Sequence, residues 1–311
     1  MTNLCIISAM NTHRRGNGID YRKNRIDTQP HYTTEKGDEM LTIENEDFIK
    51  LVKFIKDRFG INLTDRKVLV ESRLSNYVLD HGFDSFTDYL NLVYNDSTQR
   101  EVANMINRLT TNHTYFMRET AHFQHMMEIF LPYAEKNIKD RTLCIWSAGC
   151  SYGNEPYNIA MCLDEYFGFR KNRWDLKILA TDISFNALKS ASNGVYPASA
   201  LENIPDKWRE KYFCHADFGD YKVVDDIRNN VVFKYHNLME DISFKRNFHL
   251  IFCRNVMIYF NEDTKSKLCR KFYNATELGG YLYIGHAESA PSDMPYRKIA
   301  TAVYKKDGEP R

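Results

Sequence analysis

The chain has 311 residues, 43% of them hydrophobic, and its 42 Lys and Arg residues nearly balance 41 Asp and Glu residues. At roughly 150 residues per domain, this length predicts two domains whose cores need no disulfide staples. The formal net charge of +1 excludes a strongly basic protein that coats nucleic acid, so we expect no nucleic-acid partner. No apolar run approaches the length of a membrane span, which predicts no direct membrane insertion.

The cysteines point to a reducing compartment. There are seven of them, and no two have the C-x-x-C spacing. An odd number without paired spacing is typical of free thiols in the cytoplasm. Clustered Cys and His ligands are also missing from the sequence, so we predict no metal site.

Residues 1–40 differ from the rest, with little apolar periodicity and many polar side chains. This composition predicts a disordered tail, although a basic interaction arm also fits its arginines. A third hypothesis is that the segment is untranslated, because codons for Lys36-Gly37-Asp38 can form a ribosome-binding sequence shortly before Met40. A peptide that begins before Met40, found by mass spectrometry, would exclude this third hypothesis.

Residues 41–109 contain apolar residues at helical spacing in four short runs and no strand pattern. Gly60 and Gly82 end the first two runs, and Ser85 is placed to cap the third. We therefore predict a small all-helical domain over residues 41–109.

Basic residues are concentrated in part of this helical domain. Between residues 50 and 75 there are seven basic residues and three acidic ones. A solvated helix face explains such a pattern. The alternative is a docking face for an acidic partner, with Arg66, Lys67 and Arg73 as its candidate residues.

Beyond residue 140, apolar runs typical of strands alternate with helical spacing. The strand candidates are 143–146, 176–180, 231–235, 250–253, 281–284 and 301–304. The helix candidates are 155–166, 186–192 and 263–278, with Gly279-Gly280 ending the last one. This alternation predicts an α/β domain with a parallel, doubly wound sheet.

The strand–turn–helix at 146–157, WSAGCSYGNEPY, is the strongest local motif. Its small residues and two glycines allow the backbone to approach a ligand. The next strand ends at Asp182, where α/β nucleotide binders place an acid that accepts hydrogen bonds from ribose hydroxyls. The turn does not match G-x-G-x-x-G, which argues against a dinucleotide. The two features together predict a ligand site at the carboxyl ends of the first two strands.

Two further segments contain polar residues at suggestive places. LTTNHTYFMRE at 109–119 joins the two modules, and FCRNVMIYF at 252–260 runs from a strand into Arg254-Asn255. Helix capping and core packing would explain many of these residues. However, polar residues at the carboxyl end of a strand lie where α/β sites form.

These segments resemble the CheR-type chemotaxis protein-glutamate O-methyltransferases, which methylate receptor glutamates with S-adenosylmethionine (SAM). ATD at 180–182, HNL at 236–238 and GYLYIGHAES at 280–289 also match, so the resemblance covers about residues 41–305. It implies a Rossmann-like SAM-dependent methyltransferase domain over 110–311, with a small β-subdomain near 200–235, after the helical N-terminal domain.

The resemblance also implies the site, the cofactor and the partners. Arg118 and Tyr259 match the pair beside the transferred methyl group. The residues that match cofactor contacts are Asn112, Thr114, Arg118, Ala148, Asn154, Glu155, Asp182, Asn237, Leu238, Arg254 and Asn255. The cofactor would be S-adenosyl-L-methionine and the product S-adenosyl-L-homocysteine. The partners would be methyl-accepting chemotaxis receptors, through their cytoplasmic glutamate-rich helices, with the enzyme acting as a monomer.

Two departures from the family pattern leave an alternative open. The family's S-T-G-E-E-P-Y turn has Tyr152 in place of Thr and Asn154 in place of the first Glu. A catalytically weakened CheR-like SAM-binding regulatory module is therefore one alternative, and a methyltransferase with another substrate is a second. The loop at 215–221 is short with one glycine, which favours a member that binds no receptor C-terminal peptide.

Overall fold

The computed structural model describes residues 41–110 and 112–308. The predictions for residues 1–40 lie outside the described residues. The first helices are α1 (Asn45–Phe59), α2 (Lys67–Asp80), α3 (Phe86–Asn95) and α4 (Arg100–Leu109). They confirm the small all-helical domain.

Local signals set the ends of these helices. α1 ends at Gly60, which has φ 72° and donates its N–H to the carbonyl of Lys56 at 2.9 Å. α3 begins after Ser85, whose hydroxyl oxygen accepts the N–H of Asp88 at 3.1 Å. The apolar sides of the four helices meet in one core of their own.

The second part of the chain alternates strands and helices after α5 (Thr120–His125), a π-helical segment (Met126–Phe130) and α6 (Leu131–Asn137). The strands are β1 (Ile145–Ala148), β2 (Ile178–Asp182), β3 (Val195–Tyr196), β4 (Phe213–His215), β5 (Tyr221–Val223), β6 (Val231–Tyr235), β7 (Phe248–Cys253), β8 (Thr276–Ile284), β9 (Arg297–Ala300) and β10 (Val303–Lys305). The remaining helices are α7 (Asn154–Phe167), α8 (Phe185–Asn193), α9 (Asp206–Tyr212), α10 (Asp225–Arg228) and α11 (Glu262–Ala275).

Seven strands form the main sheet in the order β6-β2-β1-β7-β8-β10-β9. The first five are parallel, which confirms the Rossmann-like α/β class. The prediction of an all-parallel sheet is wrong at the other edge, where β10 and β9 are antiparallel. Only residues 301 and 302 connect β9 to β10, and so short a link cannot hold the crossover that parallel strands need.

Two local predictions also need correction. Gly279 and Gly280 lie inside β8 instead of ending a helix, and α11 stops earlier, at Ala275. The pairing of β7 with β8 shifts register between Phe248 and Leu250, and a Cβ on Gly280 would lie only 3.0 Å from the His249 carbonyl. Glycine thus permits a close backbone approach within the strand.

The small β-subdomain differs from the range near 200–235. β3, β5 and β4 form a separate three-stranded sheet that begins earlier, at Val195. β6, which the range included, joins the main sheet beside β2. A buried core covers each face of the main sheet, with Ile145 and Trp146 of β1 on opposite faces. The six described cysteines are free thiols, and all except Cys214 are buried.

Candidate active site

A cavity of about 250 Å³ lies between the helical domain and the carboxyl ends of the parallel strands. The helical domain contributes Leu69 and Leu109 to its wall. The residues of the predicted site that line it are Asn112, Thr114, Arg118, Glu155, Asp182, Asn237, Leu238, Arg254, Asn255 and Tyr259. Ala148 and Asn154 are not among its lining residues. The lining residues of the predicted site thus come from five separate segments of the chain, and Leu69 of the helical domain belongs to a sixth.

The turn after β1 forms the floor of this cavity. Gly149 has φ 83°, and a Cβ there would overlap the side chain of Val256. The N–H groups of Gly149 and Cys150 both donate to the carbonyl of Thr181, at 2.8 and 2.9 Å. These bonds tie the end of β1 to the end of β2, so a residue with a side chain at 149 would disturb the floor.

Asp182 is fixed at the end of β2 by backbone donors. Its carboxylate accepts the N–H of Ser151 and the N–H of Ser184, each at 2.8 Å. The residue is only 8% exposed, and burial raises the pKa of its carboxyl group although these N–H groups oppose the shift. The carboxylate is thus held rigidly, with acceptor positions left for a hydroxyl in the cavity.

Arg254 bridges two acidic residues beneath the cavity. Its guanidinium donates to Glu155 at 3.0 Å and to Glu119 at 3.1 and 3.2 Å, and it also binds the backbone carbonyl of Arg118. Glu155 additionally accepts the hydroxyl of Ser147 at 2.7 Å. Because Arg254 is only 6% exposed, its charge needs both partners. It therefore locks together segments that are far apart in the sequence.

The two carboxylates have different environments. Burial would raise the pKa of Glu119, but the imidazole of His122, whose Nδ1 lies 3.4 Å from the carboxylate, and the charge of Arg254 hold it well below its usual range. Burial raises the pKa of Glu155, and Arg254 only partly opposes this. Of the two carboxylates, Glu119 is therefore the one whose charged form the surroundings favour more strongly.

One group of described residues has a geometry that could hold a metal ion. Glu119, His122 and His286 bring possible ligand atoms within 4.8 Å of one another. Burial lowers the pKa of His122, which keeps its imidazole neutral. Glu119 is already bound to Arg254, so a cation there would compete with the guanidinium for the same carboxylate.

Arg118 and Tyr259 lie on the wall of the same cavity. Arg118 donates one N–H to the carbonyl of His113 at 2.8 Å, and its guanidinium lies 5.7 Å from the ring centre of Tyr115. Tyr259 belongs to a short 3-10 turn (Met257–Tyr259) and is half-buried. Arg118 keeps further N–H donors, and the phenol of Tyr259 is a donor as well. This wall can therefore bind an anionic oxygen.

The two departures in the turn lie off the cavity. Neither Tyr152 nor Asn154 is among the lining residues, whereas the neighbouring Glu155 is. The carbonyl of Tyr152 accepts the hydroxyl of Tyr196 at 2.7 Å, and Asn154 is a 3% exposed residue at the start of α7. Tyr152 therefore does not narrow the cavity, and the residue of this turn that presents a carboxylate to it is Glu155.

The three basic docking candidates do not share one exposed face. Arg66 is exposed and reaches the cavity wall, while Lys67 donates to the side chain of Asn45 at 2.7 Å. Arg73 is half-buried and donates to the carbonyl of Leu109 at 2.6 Å. Burial lowers the pKa of Arg73. Arg73 thus has a structural role that its position in the sequence did not indicate.

Asn158 is a cavity residue that the sequence reasoning missed. It is completely buried and lines the cavity, and among the described residues neither its amide oxygen nor its amide nitrogen has a hydrogen-bond partner. Leaving both groups unpaired is costly, so this amide fits a cavity that takes a polar ligand. The available signal was its spacing, since Asn158 lies one helical turn after Glu155 on α7.

Comparisons with known proteins agree with this geometry. A family model described as "CheR methyltransferase, SAM binding domain" matches residues 112–304, and one described as "CheR methyltransferase, all-alpha domain" matches residues 46–110. The chain belongs to the CheR methyltransferase family. The resemblance seen in its motifs is therefore confirmed.

Relatives support the same assignment over nearly their full length. The chemotaxis protein methyltransferase of Borreliella burgdorferi is 39% identical, over 86% of this chain and 96% of the relative. That of Escherichia coli is 34% identical, over 81% of this chain and 87% of the relative. A probable chemotaxis protein methyltransferase of Rhizobium etli is 37% identical, over 79% and 94%.

SAM is the cofactor of this CheR-family methyltransferase, and the cavity suits it. The fixed carboxylate of Asp182 can accept hydroxyl groups, and the unpaired amide of Asn158 can meet a polar group. Asn237 uses its amide within the protein, donating to the carbonyl of Arg58 at 2.7 Å and accepting the N–H of Met239 at 3.0 Å.

Within the described residues, no helix has the length and apolar character to cross a membrane.

Proposed function

We propose that this methyltransferase converts glutamate side chains of chemotaxis receptors to methyl esters, in the cytoplasm. The observation that carries the proposal is the shared cavity wall of Arg118 and Tyr259, since this wall offers donors to a carboxylate. The names of the relatives add the receptor context. The substrate would be a glutamate-rich helix that approaches along the helical domain.

Binding of SAM is assigned to the cavity-lining members of the predicted set. Asp182 would accept the ribose hydroxyls, and Glu155, Asn237, Leu238 and Arg254 would shape the rest of the pocket. Asn112, Thr114 and Asn255 complete the set. We further propose that the enzyme acts as a monomer, built from domains 41–109 and 110–311.

When bound, SAM supplies a methyl group on a positively charged sulfur. A glutamate carboxylate has a pKa of about 4.3 and is ionised at neutral pH, so no general base is needed. The work of the protein is then to position the nucleophile and to remove its water. Arg118 would hold one carboxylate oxygen, and Tyr259 would direct the other by donating a hydrogen bond.

The weakened regulatory module is not favoured. That alternative rests on Tyr152 and Asn154, and neither residue lines the cavity. A methyltransferase with another substrate is the remaining rival. The exposed basic residue Arg66 on the cavity rim supports an acidic partner.

Methyl transfer to receptors tests the proposal directly. The purified full chain is incubated with receptor-containing membranes and SAM labelled in its methyl group, and volatile methanol is measured after treatment with base. We expect base-labile label on the receptor, strongly reduced with Tyr259→Phe and absent with membranes that lack receptors. Base-stable label would mean a different acceptor group. Binding of S-adenosylhomocysteine without any transfer would instead support the regulatory module.

A further inference from the structure

Glu288 lies in the loop after β8, and its carboxylate hydrogen-bonds to the segment that carries Tyr259. One oxygen of its carboxylate accepts the N–H of Met257 at 2.7 Å and the N–H of Ile258 at 3.3 Å. The other oxygen accepts the N–H of Gly285. Each of these bonds goes to a backbone group, so the carboxylate acts on the shape of the chain rather than on a side chain.

These bonds cap the turn that presents Tyr259. The first N–H groups of a short helical turn have no partners inside the turn and need an outside acceptor. Glu288 supplies that acceptor for the 3-10 turn (Met257–Tyr259), and a carboxylate does so with charge-assisted bonds. Met257 is fully buried, so its N–H would have no water to replace the carboxylate.

The same segment is held on its other side by the helical domain. The N–H of Asn62 donates to the carbonyl of Tyr259 at 2.8 Å, and Ile61 pairs with Phe260. Tyr259 is therefore fixed between Asn62 and Glu288, which are more than 200 residues apart in the sequence. Removal of the Glu288 carboxylate releases the segment on one side only, because the contacts with Asn62 and Ile61 remain. The local fold can therefore persist while the side chain of Tyr259 loses its orientation.

We propose that Glu288 is a positioning residue for methyl transfer, which acts by orienting Tyr259 through the backbone. This proposal rests on the proposed function of Tyr259. Glu288 is not among the residues that line the cavity, so cofactor binding should not depend on it directly.

The test compares Glu288→Ala, Glu288→Gln and the control Glu277→Ala, which removes a carboxylate from the far end of β8. We expect Glu288→Ala to lower kcat for receptor methylation at least tenfold, with affinity for S-adenosylhomocysteine changed less than twofold. Glu288→Gln keeps an oxygen for Met257 and Ile258 and should lose less than Glu288→Ala. Glu277→Ala should match the parent protein.

A double-mutant cycle separates positioning from a general structural role. In a Tyr259→Phe background, Glu288→Ala should lower kcat less than twofold further, because the hydroxyl it directs is already gone. Full additivity, or a loss of cofactor affinity that matches the loss of kcat, would overturn the proposal. If the parent protein methylates no receptor, the proposed function fails. Hydrogen exchange then tests Glu288 separately: unchanged exchange of the Met257 and Ile258 amides in Glu288→Ala would contradict it.

Discussion

The N–H of Asn62 donates to the carbonyl of Tyr259 at 2.8 Å. This bond joins the helical domain to the turn that carries the proposed catalytic phenol. Gly60 permits the approach, because it has φ 72° and a Cβ there would lie 2.6 Å from the sulfur of Met239. The helical domain thus helps to build the active-site wall, in addition to any part in binding the receptor.

Tyr259→Phe should lower kcat for receptor methylation about 10- to 100-fold, which corresponds to the loss of one hydrogen bond to a charged oxygen. Affinity for S-adenosylhomocysteine, measured by calorimetry, should stay the same. Tyr94→Phe, an exposed tyrosine of α3, serves as the matched control and should retain full activity. Equal activity of Tyr259→Phe and the parent chain would remove Tyr259 from the mechanism.

Glu155→Gln should weaken SAM binding about tenfold, since it removes a charge that both faces the cavity and holds Arg254. Asn154→Ala should change the affinity less than twofold, because Asn154 does not line the cavity. Calorimetric titration with SAM measures both variants. If Asn154→Ala weakened SAM binding more than Glu155→Gln, the residue that contacts the cofactor would be Asn154.

Arg66→Glu should raise the KM for receptor about three- to tenfold at low salt and leave cofactor affinity unchanged. The effect should shrink as salt is added, because Arg66 is exposed and its charge is screened. Arg173→Glu provides the control, as an exposed arginine of the 3-10 segment after α7. A KM that stays constant across the salt series would argue against a docking role for Arg66.

Glu119→Gln should lower the free energy of unfolding by about 2–4 kcal/mol at pH 7, because it takes a charged partner from buried Arg254. The folded-state pKa of Glu119 lies below its usual value of 4.5, so its stabilising contribution is complete above that pH. The contribution is lost as the pH falls further through the folded-state pKa. Urea unfolding should therefore show a smaller difference between variant and parent at pH 4 than at pH 7.

Glu46→Gln is the control for this pH dependence. Glu46 pairs with Lys50 at 2.8 Å on the exposed side of α1, so its removal should cost less than about 0.5 kcal/mol at either pH. If the free energies of unfolding of Glu119→Gln and the parent differed by the same amount at pH 4 and pH 7, the prediction would be wrong. That result would mean that Glu119 stabilises the protein by its shape rather than by its charge.

Local patterns in the sequence predicted the frame of the site well. The turn after β1 and the acid at Asp182 depend on neighbours in the chain and on the general rule that α/β sites form at the carboxyl ends of strands. Whether the individual residues assigned from the family pattern contact SAM stays a prediction. The shared position around one cavity of all of them except Ala148 and Asn154 is an observation of the structure.

Contacts between distant segments could not be predicted in this way. Glu119 and Arg254 are 135 residues apart, and nothing in either local pattern indicates their ion pair. The inward position of Arg73 depends on where α4 ends, and the place of Gly280 inside β8 depends on how closely β7 approaches. Such features follow from tertiary packing, which overrides local propensity.

The bridge between Asn62 and Tyr259 also limits how this protein can be recombined with its relatives. A chimera that exchanges only the helical domain would join a foreign α1–α2 connection to the resident turn at Tyr259. Such a chimera would keep both hydrophobic cores. The phenol of Tyr259 would nevertheless be misdirected unless residues 60–63 come from the same protein as the 3-10 turn that they contact. In this protein the two contacting segments should therefore be exchanged together, and a crossover point between residues 110 and 112 would separate them.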